Sequence, residues 1–231
     1  MNRTILRLPL TLCLALGLTA PAYAQAAGAP APQPKPKPPA APRPAPPKST
    51  FRVYGQFDWM AMSASQSFDA ILGTSSVAGF GVGGEVLDLW KGLFARVTFG
   101  VRGDTGQRVI VADGQVIELG IPLEIGLDEF TLGGGWRQTV HPRVIAYGGA
   151  GFLRAGYSEE SDFSTVEKKA FRGSTFFGGV ELPLNRWLIV GGEVDWRSLP
   201  DALGEFPSVS QVFGETNLGG MALRALVGIR R

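Results

Sequence analysis

The chain has 231 residues with 22 basic and 20 acidic side chains, a net charge of +2, one histidine, one cysteine and 32 glycines. A balance so close to neutral gives no electrostatic footprint for nucleic acid, and no apolar run of eighteen or more residues is present, so no spanning helix is expected. One histidine and one cysteine are too few for a zinc or iron site built on nitrogen and sulfur, and no metal or other cofactor is expected.

Met1 to Ala24 carries Arg3 and Arg7, an apolar stretch to about Leu18, and Ala22-Tyr23-Ala24 ahead of Gln25. This is the pattern of a secretory signal peptide. Cys13 lies within it and would leave with it. Residues 25–50 are mostly Ala, Pro, Lys, Arg and Gln, a composition that builds no core and favours an extended, proline-rich disordered linker. Lys35, Lys37, Arg43 and Lys48 give that linker a possible cell-wall contact.

From residue 51 to 231 the chain is written in alternating runs separated by turn-rich segments. Phe51–Met62 puts Val53, Phe57 and Trp59 on one face and Arg52, Tyr54, Gln56 and Asp58 on the other. A Ser-rich loop over 63–76 precedes a second strand, 77–87, in which Phe80, Val82 and Val86 oppose Glu85. Here Gly79-Phe80-Gly81-Val82-Gly83-Gly84 matches a dinucleotide pattern formally, but its parity runs on through Glu85 as one strand. The third strand, 93–111, alternates Arg96 and Arg102 with apolar residues and turns at Ala112-Asp113-Gly114.

The fourth strand, 115–137, keeps Leu119, Ile121, Leu123 and Ile125 on one face and Glu118 and Glu124 on the other. Phe130, Leu132 and Trp136 then fall in the opposite phase, which predicts a bulge near Leu127-Asp128. The fifth strand, 143–157, is read with Ile145, Tyr147, Leu153 and Tyr157 outward and Arg154 inward. A charged loop, 158–170, containing Glu159, Glu160 and Asp162, leads to strand 171–182 with Glu181 inward. Strand 187–197 sets Val190, Val194 and Trp196 against Glu193 and Asp195, and a loop over 198–214 precedes the closing strand 216–230, where Arg224 and Arg230 oppose Met221, Leu223 and Val227.

The expected fold is all-β: a closed eight-stranded antiparallel up-and-down transmembrane barrel, apolar outside and polar inside. Its interior ion-pair network is predicted to comprise Arg52, Asp58, Glu85, Arg96, Arg102, Arg154, Glu181, Glu193, Asp195, Arg224 and Arg230. All six lysines lie in the linker, a turn or a loop, and the planar guanidinium fork suits paired carboxylates. Trp59, Trp90, Trp136, Tyr147, Tyr157, Trp187 and Trp196 are the expected membrane-interface aromatics. The links near 88–92, 138–142 and 183–186 are short and expected in the periplasm, with the linker; the longer ones face outward.

Leu119-Gly120-Ile121-Pro122-Leu123, Gly133-Gly134-Gly135-Trp136-Arg137 and Val190-Gly191-Gly192-Glu193-Val194 resemble segments of the outer-membrane β-barrel domain proteins of Gram-negative bacteria. With the signal peptide and hairpin rhythm, the region resembles the barrels of the outer-membrane protein A and X type, although Gly228-Ile229-Arg230-Arg231 stands where such barrels commonly carry Phe or Trp. The resemblance implies insertion by the barrel-assembly machinery and no reaction. Other expected partners are outer-membrane lipid and lipopolysaccharide, with no nucleic acid and a monomeric state. The functional expectation is a structural or surface-interacting barrel with a filled interior, the alternative being a narrow pore for small solutes or ions.

Overall fold

The computed structural model describes residues 50–112, 114–162, 164–204 and 208–231, with the backbone alone for 164–168. The signal-peptide and linker expectations lie outside these residues. Eight strands pair antiparallel, each with its neighbours in sequence, and β8 closes on β1. They are β1 Thr50–Met62, β2 Ser76–Trp90, β3 Leu93–Ala112, β4 Gln115–His141, β5 Val144–Ser161, β6 Ser164–Pro183, β7 Leu188–Ser198 and β8 Gly220–Arg230.

Strict alternation dictates two faces in β1 and β8, where every second side chain is buried and every other exposed. The outer wall carries Phe57, Phe80, Val82, Phe99, Leu132, Phe152, Phe176, Val194, Leu223 and Val227, all strongly exposed. A belt this size around a whole molecule far exceeds the apolar patches that water-soluble monomers tolerate. In β1 the alternation runs from Phe51 to Met62, long enough for the roughly 9–11 residues of a tilted membrane-spanning strand. Among the described residues no helix is long and apolar enough to cross a membrane, which says nothing about strands.

Short turns at 91–92, 142–143 and 184–187 mark one end of the barrel. Gly92 has φ +94°, and a Cβ there would lie 2.5 Å from the Arg137 carbonyl oxygen, so the first of these turns depends on glycine. At the other end β3 and β4 run on together as a ribbon, closing at Ala112↔Gln115.

Four sequence readings are corrected at that end. The Ser-rich loop contains an α-helix, α1 Ser65–Leu72, and a short one, α2 Val209–Phe213, lies within the final loop. The segment read as a loop over 158–170 is largely strand, pairing Glu159↔Val166 and Tyr157↔Lys169. No bulge occurs at Leu127-Asp128, because the β3–β4 register is continuous from Leu93↔Trp136 to Gln107↔Pro122 and shifts only between Gln107 and Val109.

Helix α1 is anchored by Glu215, whose carboxylate accepts hydrogen bonds from the Gln66 and Ser67 backbone N–H groups (3.0 and 2.9 Å) and from Ser67 Oγ (2.6 Å). A negative group on the free N–H groups of a first turn both caps them and complements the helix dipole. Glu215→Ala is expected to destabilise α1 by about 1 kcal/mol. Faster amide exchange across 65–72 with unchanged exchange in β1 checks this.

Candidate functional site: the barrel interior

The inward face of β2 is glycine at 79, 81 and 83, and long side chains of the neighbouring strands fill the space this leaves. A Cβ at Gly79 would strike Arg102 Cγ and come within 2.8 Å of Asp58 Oδ1, and one at Gly83 would enter the Tyr54 ring. The run that formally matched a dinucleotide loop is thus a strand whose missing side chains admit an ion pair and an aromatic ring.

Into that space project arginines and carboxylates that form one connected network. Arg52 pairs with Glu85 and Glu181, the latter at 2.5 Å. Arg96 reaches Glu85 at 3.5 Å and holds Glu193 Oε2 through both terminal nitrogens, at 2.8 and 2.6 Å. Its guanidinium also lies 3.9 Å from the centre of the Phe177 ring, a cation–π contact. Arg224 joins Glu193 (2.7 Å) to Asp195 (2.6 Å). Arg197, 1% exposed, meets Glu129 at 2.5 Å, Asp195 at 2.8 Å and Asp58 at 3.4 Å. Arg102 closes the network on Asp58 and Glu129, both at 2.5 Å. At the short-turn rim Arg137 makes longer contacts, 3.5 Å to Glu181 and 3.8 Å to Asp88.

Arginines 52, 96, 102, 197 and 224, with Arg137 at the rim, thus stand against buried carboxylates 58, 85, 129, 181, 193 and 195, and each of these has an opposite charge within 3.5 Å. Burying a charge is costly unless it is paired and hydrogen-bonded, and here pairing accompanies burial throughout. Apolar groups close the rest of the interior. Met60, Met62, Phe68 of α1, Val77, Ile125, Leu127, Leu153, Leu199 and Leu218 form a cluster at the long-hairpin end. A second cluster, Tyr54, Leu87, Phe94, Tyr147, Phe177 and Leu226, packs among the network. The ion pairs thus lie below an apolar cap and between aromatic rings.

Most of the sequence-predicted interior residues come together in this network: Arg52, Asp58, Glu85, Arg96, Arg102, Glu181, Glu193, Asp195 and Arg224. Arg230 is half-buried at the short-turn rim, opposite Arg52 in the β1–β8 register. Arg154 is a correction: it is exposed on the outer wall, while Ile145, Tyr147, Leu153 and Ala155 of β5 face inward. The interior is layered rather than uniformly polar, so β5 turns its apolar parity toward the two clusters and its lone arginine outward. Glu118 and Glu124, read as inward, are exposed, for Leu123, Ile125 and Leu127 occupy the inward parity of β4.

Sequence reasoning missed Glu129, Arg137 and Arg197. The signals for both Arg197 and Glu129 were present, since Arg197 shares the parity of Glu193 and Asp195 and Glu129 alternates with the outward Phe130 and Leu132.

Of the expected interfacial aromatics, Trp59, Trp90, Trp136, Trp187 and Trp196 are exposed on the outer wall. Trp90 and Trp136 meet edge to face beside the turn at 91–92, and Trp187 ends the turn at 184–187, whereas Trp59 and Trp196 lie toward the other end. Tyr147 and Tyr157 are corrections: both point inward, Tyr147 against Phe94 and Tyr157 against the apolar cap. Tyr157 lies above the belt and donates to Glu159 at 2.5 Å, and burial followed by that carboxylate pushes its phenol above the usual range. His141 is exposed beside Pro142 in a short turn, far along β4 from the long-hairpin end. Among the described residues no group of three or more potential metal ligands is found.

The closed ring, oily wall and ion-paired interior define the class: the fold is that of the small eight-stranded outer-membrane β-barrels. The structure of Neisserial surface protein A is similar over 79% of this chain and 98% of that one, with 12% identity and a TM-score of 0.50. The attachment invasion locus protein Ail of Yersinia pestis, solved with the heparin analogue sucrose octasulfate, is similar over 80% of this chain and 99% of its own, with 9% identity and a TM-score of 0.50. At such identities the likeness is one of fold alone. No protein-family model matches the chain, and no curated protein sequence does so either.

Proposed function

We propose that this chain is an integral outer-membrane protein with a structural or surface-interacting role, non-enzymatic, and without a conducting channel. The observation that carries the reading is the interior. Each buried charge has an opposite charge beside it, and a cap including Met60, Phe68, Leu153 and Leu218 overlies the pairs, so among the described residues no row of free charges lines a water path. The apolar wall and its tryptophans support residence in a bilayer, and the short turns support an orientation with the linker in the periplasm and the extended hairpins outside. In this reading the barrel-assembly machinery inserts the chain, outer-membrane lipid surrounds it, and the β3–β4 ribbon is the part offered to other molecules.

Two measurements on the protein from the outer-membrane fraction test this. Its gel mobility should shift on boiling, as expected for a closed barrel that resists detergent. In planar bilayers it should be electrically silent. A steady conductance altered by Glu193→Gln would overturn the closed-interior reading in favour of the narrow pore. Recovery in the soluble periplasm with no mobility shift would overturn membrane residence itself.

A further inference from the structure

One stretch of the outer wall breaks the apolar belt. Arg154 on β5 and Arg172 on β6 are directly opposed across the ladder, and both are exposed. Like charges so placed, with Cβ atoms about 5 Å apart, repel one another. Among the described residues neither arginine forms an ion pair, in contrast to the fully paired guanidinium groups inside. They end a cross-strand row that begins Val82, Phe99, Phe130, and the next row toward the short turns continues with Val97, Leu132 and Phe152.

Beside the arginines the wall is furrowed. A groove of about 770 Å³ runs over Phe80, Phe99, Val101 and Phe130 to Arg154, and it exists because the row above ends in the small residues Gly156 and Ala170. Asp128 also lines this groove and is itself already engaged in an interaction. An apolar furrow that ends at Arg154, with Arg172 directly opposed to it across the ladder, is complementary to an amphiphile with acyl chains and an anionic head. Guanidinium binds phosphate through two parallel hydrogen bonds, and a pair at strand spacing suits a multiply charged head better than a single phosphodiester.

We infer that this groove is a binding site for the phosphorylated, multiply acylated glycolipid of the outer leaflet, lipopolysaccharide, with its acyl chains against Phe99 and Phe130 and a lipid A phosphate on Arg154 and Arg172. The inference rests on the outer-membrane reading above, which puts this half of the barrel, the half carrying the long hairpins, in the outer leaflet.

The test uses the full mature chain in micelles, with bisphosphorylated lipid A, the same lipid stripped of phosphate, and phosphatidylglycerol as competing probes, and retained lipid read by native mass spectrometry. Lipid A should be retained at least about tenfold over either competitor, roughly the effect of one good charged contact. Arg154→Gln with Arg172→Gln should abolish that preference, while Arg143→Gln, an exposed arginine at a short turn, should leave it intact. Equal retention of lipid A and phosphatidylglycerol, or a preference that survives the double substitution, would overturn the site. The heat-modifiable mobility of the same samples separates the two failures. A folded barrel without lipid preference defeats only this inference, and a chain that forms no detergent-resistant barrel defeats the membrane reading and the site with it.

Discussion

Arg197→Ala is expected to lower the stability of the barrel by about 3–5 kcal/mol, the cost typical of breaking a buried charge pair from one side. Arg197 is wholly buried and touches Glu129, Asp195 and Asp58, with a further contact from its Nη1 to the Met60 sulfur at 3.5 Å. After truncation each carboxylate keeps a second arginine, Arg102 for Glu129 and Asp58 and Arg224 for Asp195, but the local charge is one cation short. The apolar cap above bars water from making up the difference. Arg137 supplies the contrast. It lies at the rim with contacts of 3.5 and 3.8 Å, one of them to a partly exposed Asp88, so Arg137→Ala should cost no more than about 1 kcal/mol. Urea unfolding in micelles, followed by the mobility shift, measures both. Equal midpoints for the two variants would mean that the interior is hydrated and that the buried network contributes nothing special.

The strands that were legible in the sequence are those that carry charged residues on one parity and large apolar residues on the other. In β1, β2, β7 and β8, Arg52, Asp58, Glu85, Glu193, Asp195 and Arg224 alternate with large apolar residues, and parity alone fixed which face was inside. In β4 and β5 that contrast fails. Leu123, Ile125, Leu127, Leu153 and Ala155 are apolar yet inward, because the interior near the long hairpins is an oily cap and not a continuation of the ion pairs. A rule that sends every apolar residue outward must then invent a bulge in β4 and invert β5, and both errors followed from it. Tyr147 and Tyr157 were lost the same way, for an aromatic near a strand end is interfacial only if it points out. Helix α1 left little trace in the sequence, being short and anchored by Glu215, a residue nearly 150 positions away. The arginine pair on the outer wall is not legible in the sequence, because the apolar parity of β5 taken alone puts Arg154 inside.

Gly79→Val should be among the most damaging substitutions of a residue that itself makes no side-chain contact. Gly79 faces inward on β2, opposite Asp58 on one side and Arg102 on the other. A Cβ there would run into Arg102 Cγ and approach Asp58 Oδ1 at 2.8 Å and the Val101 carbonyl oxygen at 2.7 Å. The backbone oxygen cannot move without opening the β2–β3 ladder, so the arginine must give way, and with it the Arg102–Asp58 pair. Overpacking alone costs about 1–3 kcal/mol, and separating a buried pair adds to it, for a total on the order of 4 kcal/mol. Gly55 is the control. It lies on the exposed parity of β1 with nothing within 4 Å of a built Cβ, and its φ is not in the left-handed region. Gly55→Val should therefore be neutral or stabilising by about 0.5–1 kcal/mol, since a β-branched residue orders a strand better than glycine does. Unfolding midpoints of the two variants read the difference. If Gly79→Val matched Gly55→Val, the glycine face of β2 would not be the space that admits the ion pairs, and the filling of the barrel would need another explanation.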